Sequence, residues 1–254
     1  MSTRRARRAY LIVLAVMSLP GVLLFLPGAH ATVTPGVQAV ASEAAAGRSL
    51  FEEHCASCHG DTAHGTSSGP AIAGLGPAYD DFMMSTGRMP LDFPTQSAVR
   101  RPPVLSPPEI RDITAYLSSL APGGVPIPSV PAGTSGSLSQ GEQLYELNCA
   151  PCHGTTGNGG AVGPRSAPNL HTATARQIVE ALRIGPTTMP RFGRDQIPYR
   201  EAVSLAKYVL YLRDPLDRGG LSLGRVGPLI EGFVAILVGL GLIVVLTRFL
   251  GTRS

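Results

Sequence analysis

One pentapeptide, present twice, constrains this chain more than any other feature. It reads Cys55-Ala56-Ser57-Cys58-His59 and again Cys149-Ala150-Pro151-Cys152-His153. C-x-x-C-H is the attachment signature of a c-type haem. Each thiol adds to one vinyl group of the macrocycle, and the two-residue gap matches the vinyl spacing. The adjacent His is carried beneath the ring, where its imidazole can ligate the iron. Zinc ribbons bring their C-x-x-C pairs within about 15–20 residues of each other, whereas these pairs lie 94 residues apart. A redox C-x-x-C needs no His directly after it. All four cysteines fall in the motifs, so none remains for a disulfide. The expectation is two covalently attached haem c groups, held by Cys55, Cys58, Cys149 and Cys152, with His59 and His153 as proximal iron ligands.

The motifs sit inside a longer repeat. Gly47, Leu50, Phe51, Glu52 and Cys55 align with Gly141, Leu144, Tyr145, Glu146 and Cys149. Leu50 and Phe51 fall one helical turn before His54 and Cys55, which places each motif at the C-terminal end of an amphipathic helix. Glycine-rich polar stretches follow (60–69 and 154–163), each closed by a Gly-Pro step, Gly69-Pro70 and Gly163-Pro164. The second copy adds Ala167-Pro168-Asn169-Leu170. Met89-Pro90 and Met189-Pro190 come next, 100 residues apart, so an insertion is expected in the second copy between Pro164 and Met189. Ile113, Tyr116 and Leu117, and later Leu205, Tyr208 and Val209, repeat at i, i+3, i+4 and read as a closing helix in each unit. Residues 121–140, rich in Pro, Gly and Ser, read as a linker, and 99–108 as a surface loop.

Each unit spans only about 80 residues, a size at which a purely apolar core is marginal. A large flat apolar cofactor bonded to the chain would complete it. The formal charge of +4 comes from the ends: residues 32–227 hold 15 basic and 16 acidic groups, which argues against a nucleic-acid surface. Arg4, Arg5, Arg7 and Arg8 precede an apolar run and the small-x-small pattern Ala29-His30-Ala31. Residues 1–31 therefore read as a signal peptide or an uncleaved N-terminal anchor, and 32–44 as a tether. Residues 228–247 carry one charge, Glu231, and suffice to span a bilayer as a helix. Arg248 and Arg253 follow, so the C-terminus is expected in the cytoplasm and the haem units on the extracytoplasmic face of the cytoplasmic membrane.

For the sixth iron position the residues offer few candidates. Met189 is the one methionine after Cys149. Met83, Met84 and Met89 are available to the first haem, and Met89 alone shares the Met-Pro step with Met189. His54, His64 and His171 are the rivals. Met/His ligation raises the potential and leaves no open site for oxygen or peroxide, which points to outer-sphere electron transfer.

The tandem motifs, the Gly87-Arg88-Met89-Pro90-Leu91 step, the Thr188-Met189-Pro190 step and the anchor opening Gly227-Pro228-Leu229-Ile230-Glu231-Gly232 resemble one family over nearly the whole chain. It is the dihaem cytochrome c subunit of the actinobacterial cytochrome bcc complex. The resemblance implies an all-α fold of two class I cytochrome c domains, 44–122 and 141–218, ahead of the transmembrane helix 228–247. It implies a proline carbonyl behind each ligating His: Pro70 for the first haem, and Pro164 or Pro168 for the second. It implies a cytochrome b subunit, a Rieske iron–sulfur subunit and an aa-type cytochrome c oxidase as partners. Electrons would pass from the Rieske protein through the Cys55/Cys58 haem, then the Cys149/Cys152 haem, to the copper centre of the oxidase. No independent catalytic site is expected. Net charges of −3 over 44–122 and +2 over 135–218 could orient docking.

Two other readings use the same motifs. A dihaem peroxidase needs one open sixth position, which two Met-Pro steps in matching places oppose. The dihaem subunit of a periplasmic dehydrogenase, or of another oxidase, differs in its partner rather than in its haem domains.

Overall fold

The computed structural model describes residues 35–131, 135–163, 165–216 and 228–251; residues 1–31 and Pro164 lie outside the described residues. The first half runs α1 (Pro35–His54), α2 (Ala56–His59), α3 (Pro77–Ser85) and α4 (Pro107–Leu120). The second runs α5 (Leu138–Asn148), α6 (Ala150–His153), a hairpin of β1 (Gly160–Val162) and β2 (Arg165–Ala167), then α7 (Ala175–Ile184) and α8 (Tyr199–Arg213). A last helical run comprises α9 (Pro228–Val234), a π segment (Ala235–Leu240) and α10 (Gly241–Gly251).

The repeated glycines mark where helices cross. A Cβ on Gly47 would stand 1.9 Å from the Asp112 carbonyl oxygen, so α1 rests directly on the backbone of α4. A Cβ on Gly141 would stand 2.1 Å from the Ser204 carbonyl oxygen, which sets α5 on α8 in the same way. One turn further on, an aromatic pair fills each crossing. Phe51 and Tyr116 have centroids 5.4 Å apart and Tyr145 and Tyr208 5.5 Å apart, tilted at 53° and 52°. Phe51 and Tyr145 are fully buried, and such pairs add about 1 kcal/mol beyond their burial. The first core gathers Phe51, Met84, Ile110, Ile113 and Leu117; the second gathers Tyr145, Val179, Leu182, Leu205 and Val209.

Several expectations need correcting. Residues 32–44, read as a tether, are helical from Pro35: the stretch is alanine-rich, and proline is tolerated in a first turn. The linker read at 121–140 gives way to α5 at Leu138, because the Ser137 hydroxyl accepts from the Gln140 N–H at 3.3 Å and starts the helix. Helices α3 and α7 were not anticipated. Both carry start signals: Pro77 at the first turn of α3, and a reciprocal cap at α7 in which Thr174 and Gln177 exchange side-chain-to-backbone hydrogen bonds. The helix after Pro228 continues past 247 to Gly251.

Helices α3 and α7 bring the halves together. The Gln177 amide donates to the carbonyl and hydroxyl oxygens of Ser85, both at 3.1 Å. The Arg100 Nη2 donates to the Thr172 carbonyl at 2.7 Å and to Gln177 Oε1 at 3.0 Å. Also between these helices, Glu180 is fully buried, its carboxyl set against that of Asp81. Burial first, and the charge of Asp81 next, push its carboxyl up to about 9.

Ile230–Gly251 is the one helix among the described residues long and apolar enough to cross a membrane. Its 22 residues span about 33 Å at 1.5 Å per residue, against about 30 Å of hydrocarbon. Leu237, Leu242, Ile243 and Leu250 are exposed.

Candidate haem sites

Each C-x-x-C-H motif is one turn of helix set off from the helix before it. Cys55 (φ −127°, ψ −37°) and Cys149 (φ −118°, ψ −42°) depart from helical geometry in the same way. The new turn then closes with His59 N–H to the Cys55 carbonyl at 2.9 Å and His153 N–H to the Cys149 carbonyl at 2.8 Å. The two thiols and the imidazole thus stand at i, i+3 and i+4, on one face. Gly60 and Gly154 end the turns, both at φ 76°, a backbone conformation that side chains disfavour. None of the four cysteines is in a disulfide.

The histidines are fixed from behind. His59 Nδ1 lies 2.8 Å from the Pro70 carbonyl oxygen, and His153 Nδ1 lies 3.0 Å from that of Pro168. A carbonyl can only accept, so each Nδ1 carries the proton and each Nε2 keeps its lone pair for a metal. Burial lowers the pKa of His153, opposed by its bond to Pro168, and favours the neutral ring that a metal requires. The supporting loops lie close against the motifs. A Cβ on Gly69 would be 2.8 Å from the Cys58 carbonyl oxygen, and one on Gly160 2.9 Å from that of Cys152.

This geometry relocates the expected insertion. Gly60 and Gly154 are 94 positions apart, whereas Pro70 and Pro168 are 98 apart. Four of the six extra residues therefore precede Pro168, in the β1–β2 hairpin, and the other two fall between Pro168 and Met189. The hairpin turns through Gly163 at φ 58°. His153 pairs with the Pro168 carbonyl as His59 pairs with that of Pro70, so Pro168 is the structural counterpart of Pro70.

In the second half a cavity of about 290 Å³ brings Cys149, Cys152, His153 and Met189 onto one lining, with Leu170, Leu182, Phe192 and Val209 among its apolar walls. Two thiols, an imidazole with a free Nε2, a thioether sulfur and an apolar surround fit a haem. In the first half Cys55, Cys58 and His59 repeat the arrangement. Met83 and Met84 are buried, Met84 within the first core. Met89 is half-buried, its N–H donating to the Met83 carbonyl at 3.0 Å. The rival histidines are engaged or remote. His171 Nε2 pairs with the Thr156 carbonyl at 2.7 Å. His64 is exposed beside Thr62, and His54 lies at the end of α1 beside Glu53.

Two residues on the second cavity escaped the sequence reading: Arg88 and Arg100, both from the first half. Arg88 was visible only as a letter beside Met89. Nothing in the sequence signals that it reaches the other half, since the contact depends on how α3 meets α7. Its guanidinium lies 4.9 Å from the Phe82 ring centroid.

Family models match both halves of the chain. The family model described as cytochrome c matches residues 44–121. The model described as cytochrome c oxidase, cbb3-type, subunit III matches residues 136–209. The cytochrome bc1 complex cytochrome c subunit of Mycobacterium tuberculosis is 34% identical, covering 92% of this chain and 90% of its own. Its counterpart in Corynebacterium diphtheriae is 31% identical over 88% and 85%. Among solved structures, reduced recombinant cytochrome c4 from Pseudomonas stutzeri covers 66% of this chain and 97% of its own at 22% identity and a TM-score of 0.23.

Proposed function

We infer the function of this chain from its family: it belongs to the cytochrome c subunits of the cytochrome bc1 complex. It is an electron-transfer component of that complex and a membrane protein, with two cytochrome c domains that carry covalently bound haem c. We propose that the domains occupy 44–122 and 141–218, with helix α5 of the second beginning already at Leu138, and that 228–247 lies within the membrane-spanning helix. The haem, when bound, supplies a one-electron couple.

The chain's own residues do the rest. Cys55, Cys58, Cys149 and Cys152 form the thioether links. His59 and His153 present Nε2 to iron, while the Pro70 and Pro168 carbonyls hold the rings in one tautomer and orientation. Met89 and Met189 would supply thioether sulfurs to the two irons. A thioether ligand favours the reduced state and excludes small oxidants. The apolar walls keep water from the ring. The observation that carries this reading is the doubled arrangement of a C-x-x-C-H turn with its His tied to a proline carbonyl.

The extracytoplasmic side is proposed for the haem domains and the cytoplasm for the C-terminus, from Arg248 and Arg253 after the span. The proposed partners are a cytochrome b subunit and a Rieske iron–sulfur subunit as electron source, and an aa-type cytochrome c oxidase as acceptor. Affinity purification of the tagged chain from mildly solubilised membranes tests this. A cytochrome b and a Rieske protein should co-purify, and added quinol should reduce the c-type haems. Recovery of a dehydrogenase in their place would overturn the assignment.

A further inference from the structure

The second cavity is not built by the second domain alone. Phe82, Arg88 and Arg100 reach it from the first. Those two arginines are the only charged side chains among the described residues that line it, and no carboxylate faces them there. Arg88 is 8% exposed, yet its Nη1 is buried without a hydrogen-bond partner. No ion pair is formed by either arginine among the described residues. The charge of Arg100 bears on Arg88, and that of Arg213 on Arg100, so like charges are gathered rather than dispersed. A buried guanidinium with an idle donor, beside another of the same sign, calls for an anion.

We propose that Arg88 and Arg100 form a carboxylate clamp, across the domain contact, for the propionate groups of the haem in the second domain. The proposal rests on the reading of this cavity as the Cys149/Cys152 haem site. A haem offers apolar faces and one edge with two carboxylates, and this cavity offers apolar walls together with two guanidinium groups. Guanidinium is suited to paired hydrogen bonding with carboxylate. The clamp is held rigidly. Arg100 is oriented by Thr172 and Gln177. Gly87, at φ 64°, lies so close that a Cβ there would be 2.3 Å from the Arg101 carbonyl oxygen, and the Arg101 N–H donates to the Thr86 carbonyl at 3.1 Å. Arg88 also precedes Met89, so one short loop would carry the sixth ligand of the first haem and an anchor of the second. The first domain thereby helps set the potential of its neighbour, and the contact is part of a cofactor site rather than simple packing.

The test uses the full-length protein in detergent as wild type, Arg88→Gln, Arg100→Gln and Arg100→Lys. Haem per chain, low-frequency resonance Raman spectra and reduction potentials are measured, with Met189→Leu identifying the second haem's step. Two haems per wild-type chain are the precondition; fewer would defeat the haem reading itself. With two present, each Gln variant should shift the propionate bending bands and lower the second haem's potential, because a positive charge near the ring is lost. Arg100→Lys should recover the potential more than the bands, since it restores charge without the planar fork. Bands and second-step potentials that superimpose on wild type in both Gln variants would overturn the clamp while leaving the haem assignment intact. So would a wild-type difference from the Gln variants that depends on added phosphate, which would assign the arginines to a free anion.

Discussion

Glu180 shows what a single side chain contributes to this fold. Its carboxyl is buried beside that of Asp81, and burial first, with the Asp81 carboxyl next, raises its pKa from 4.5 to about 9. A folded-state pKa above the unfolded one means the protonated form is favoured by folding. That contribution is complete below pH 4.5 and declines as the pH rises toward 9. Glu180→Gln should therefore raise the melting temperature little at pH 5 and progressively more toward pH 8, as followed by circular dichroism. Parallel pH profiles for mutant and wild type would contradict this. Asp81 and Arg176 are the charged neighbours that modulate it, in opposite senses. Met189 has a different role. Met189→Leu should leave the haem attached through Cys149 and Cys152 but lower its potential, as read by redox titration of the visible spectrum. An unchanged spectrum and potential would exclude Met189 as the sixth ligand.

Helix crossings depend on two glycines. Gly141→Ala would drive a methyl group against the Ser204 carbonyl oxygen, and overpacking of this kind costs about 1–3 kcal/mol. Gly47→Ala should do the same in the first domain. Thermal unfolding of each variant checks this, and unchanged stability would mean that the helices separate freely. These glycines were legible as a repeat at a spacing of 94, but not as contact points, because a repeat does not say which helix lies opposite. The C-x-x-C-H turns, the amphipathic helices before them and the closing helices could be read directly, since local spacing dictates each of them. The hairpin and α7 could not. Pro164 imitates Pro70 in sequence, and only the distance from His153 Nδ1 to the Pro168 carbonyl distinguishes the two prolines. Arg88 was illegible for a similar reason, because its role depends on a domain contact that no local pattern encodes.

The described residues join two cofactor-carrying domains to an apolar helix. A chain ending before Pro228 should fold and leave the membrane, because the residues with uncovered apolar surface from 230 to 251 are gone. Fractionation after salt washing would show it in the soluble pool, and retention of the truncated chain would assign anchoring to the N-terminal segment. The domain contact through Gln177, Ser85 and Arg100 holds the two haem sites in one unit, which suits a carrier that passes electrons internally. All of this depends on both motifs being loaded. The decisive measurement is covalently bound haem c per chain in the mature protein, from the pyridine haemochrome spectrum against quantitative amino-acid analysis. Two equivalents, lost one at a time in Cys55→Ala/Cys58→Ala and Cys149→Ala/Cys152→Ala, are the predicted result. One equivalent or none in fully matured wild-type protein would contradict the account.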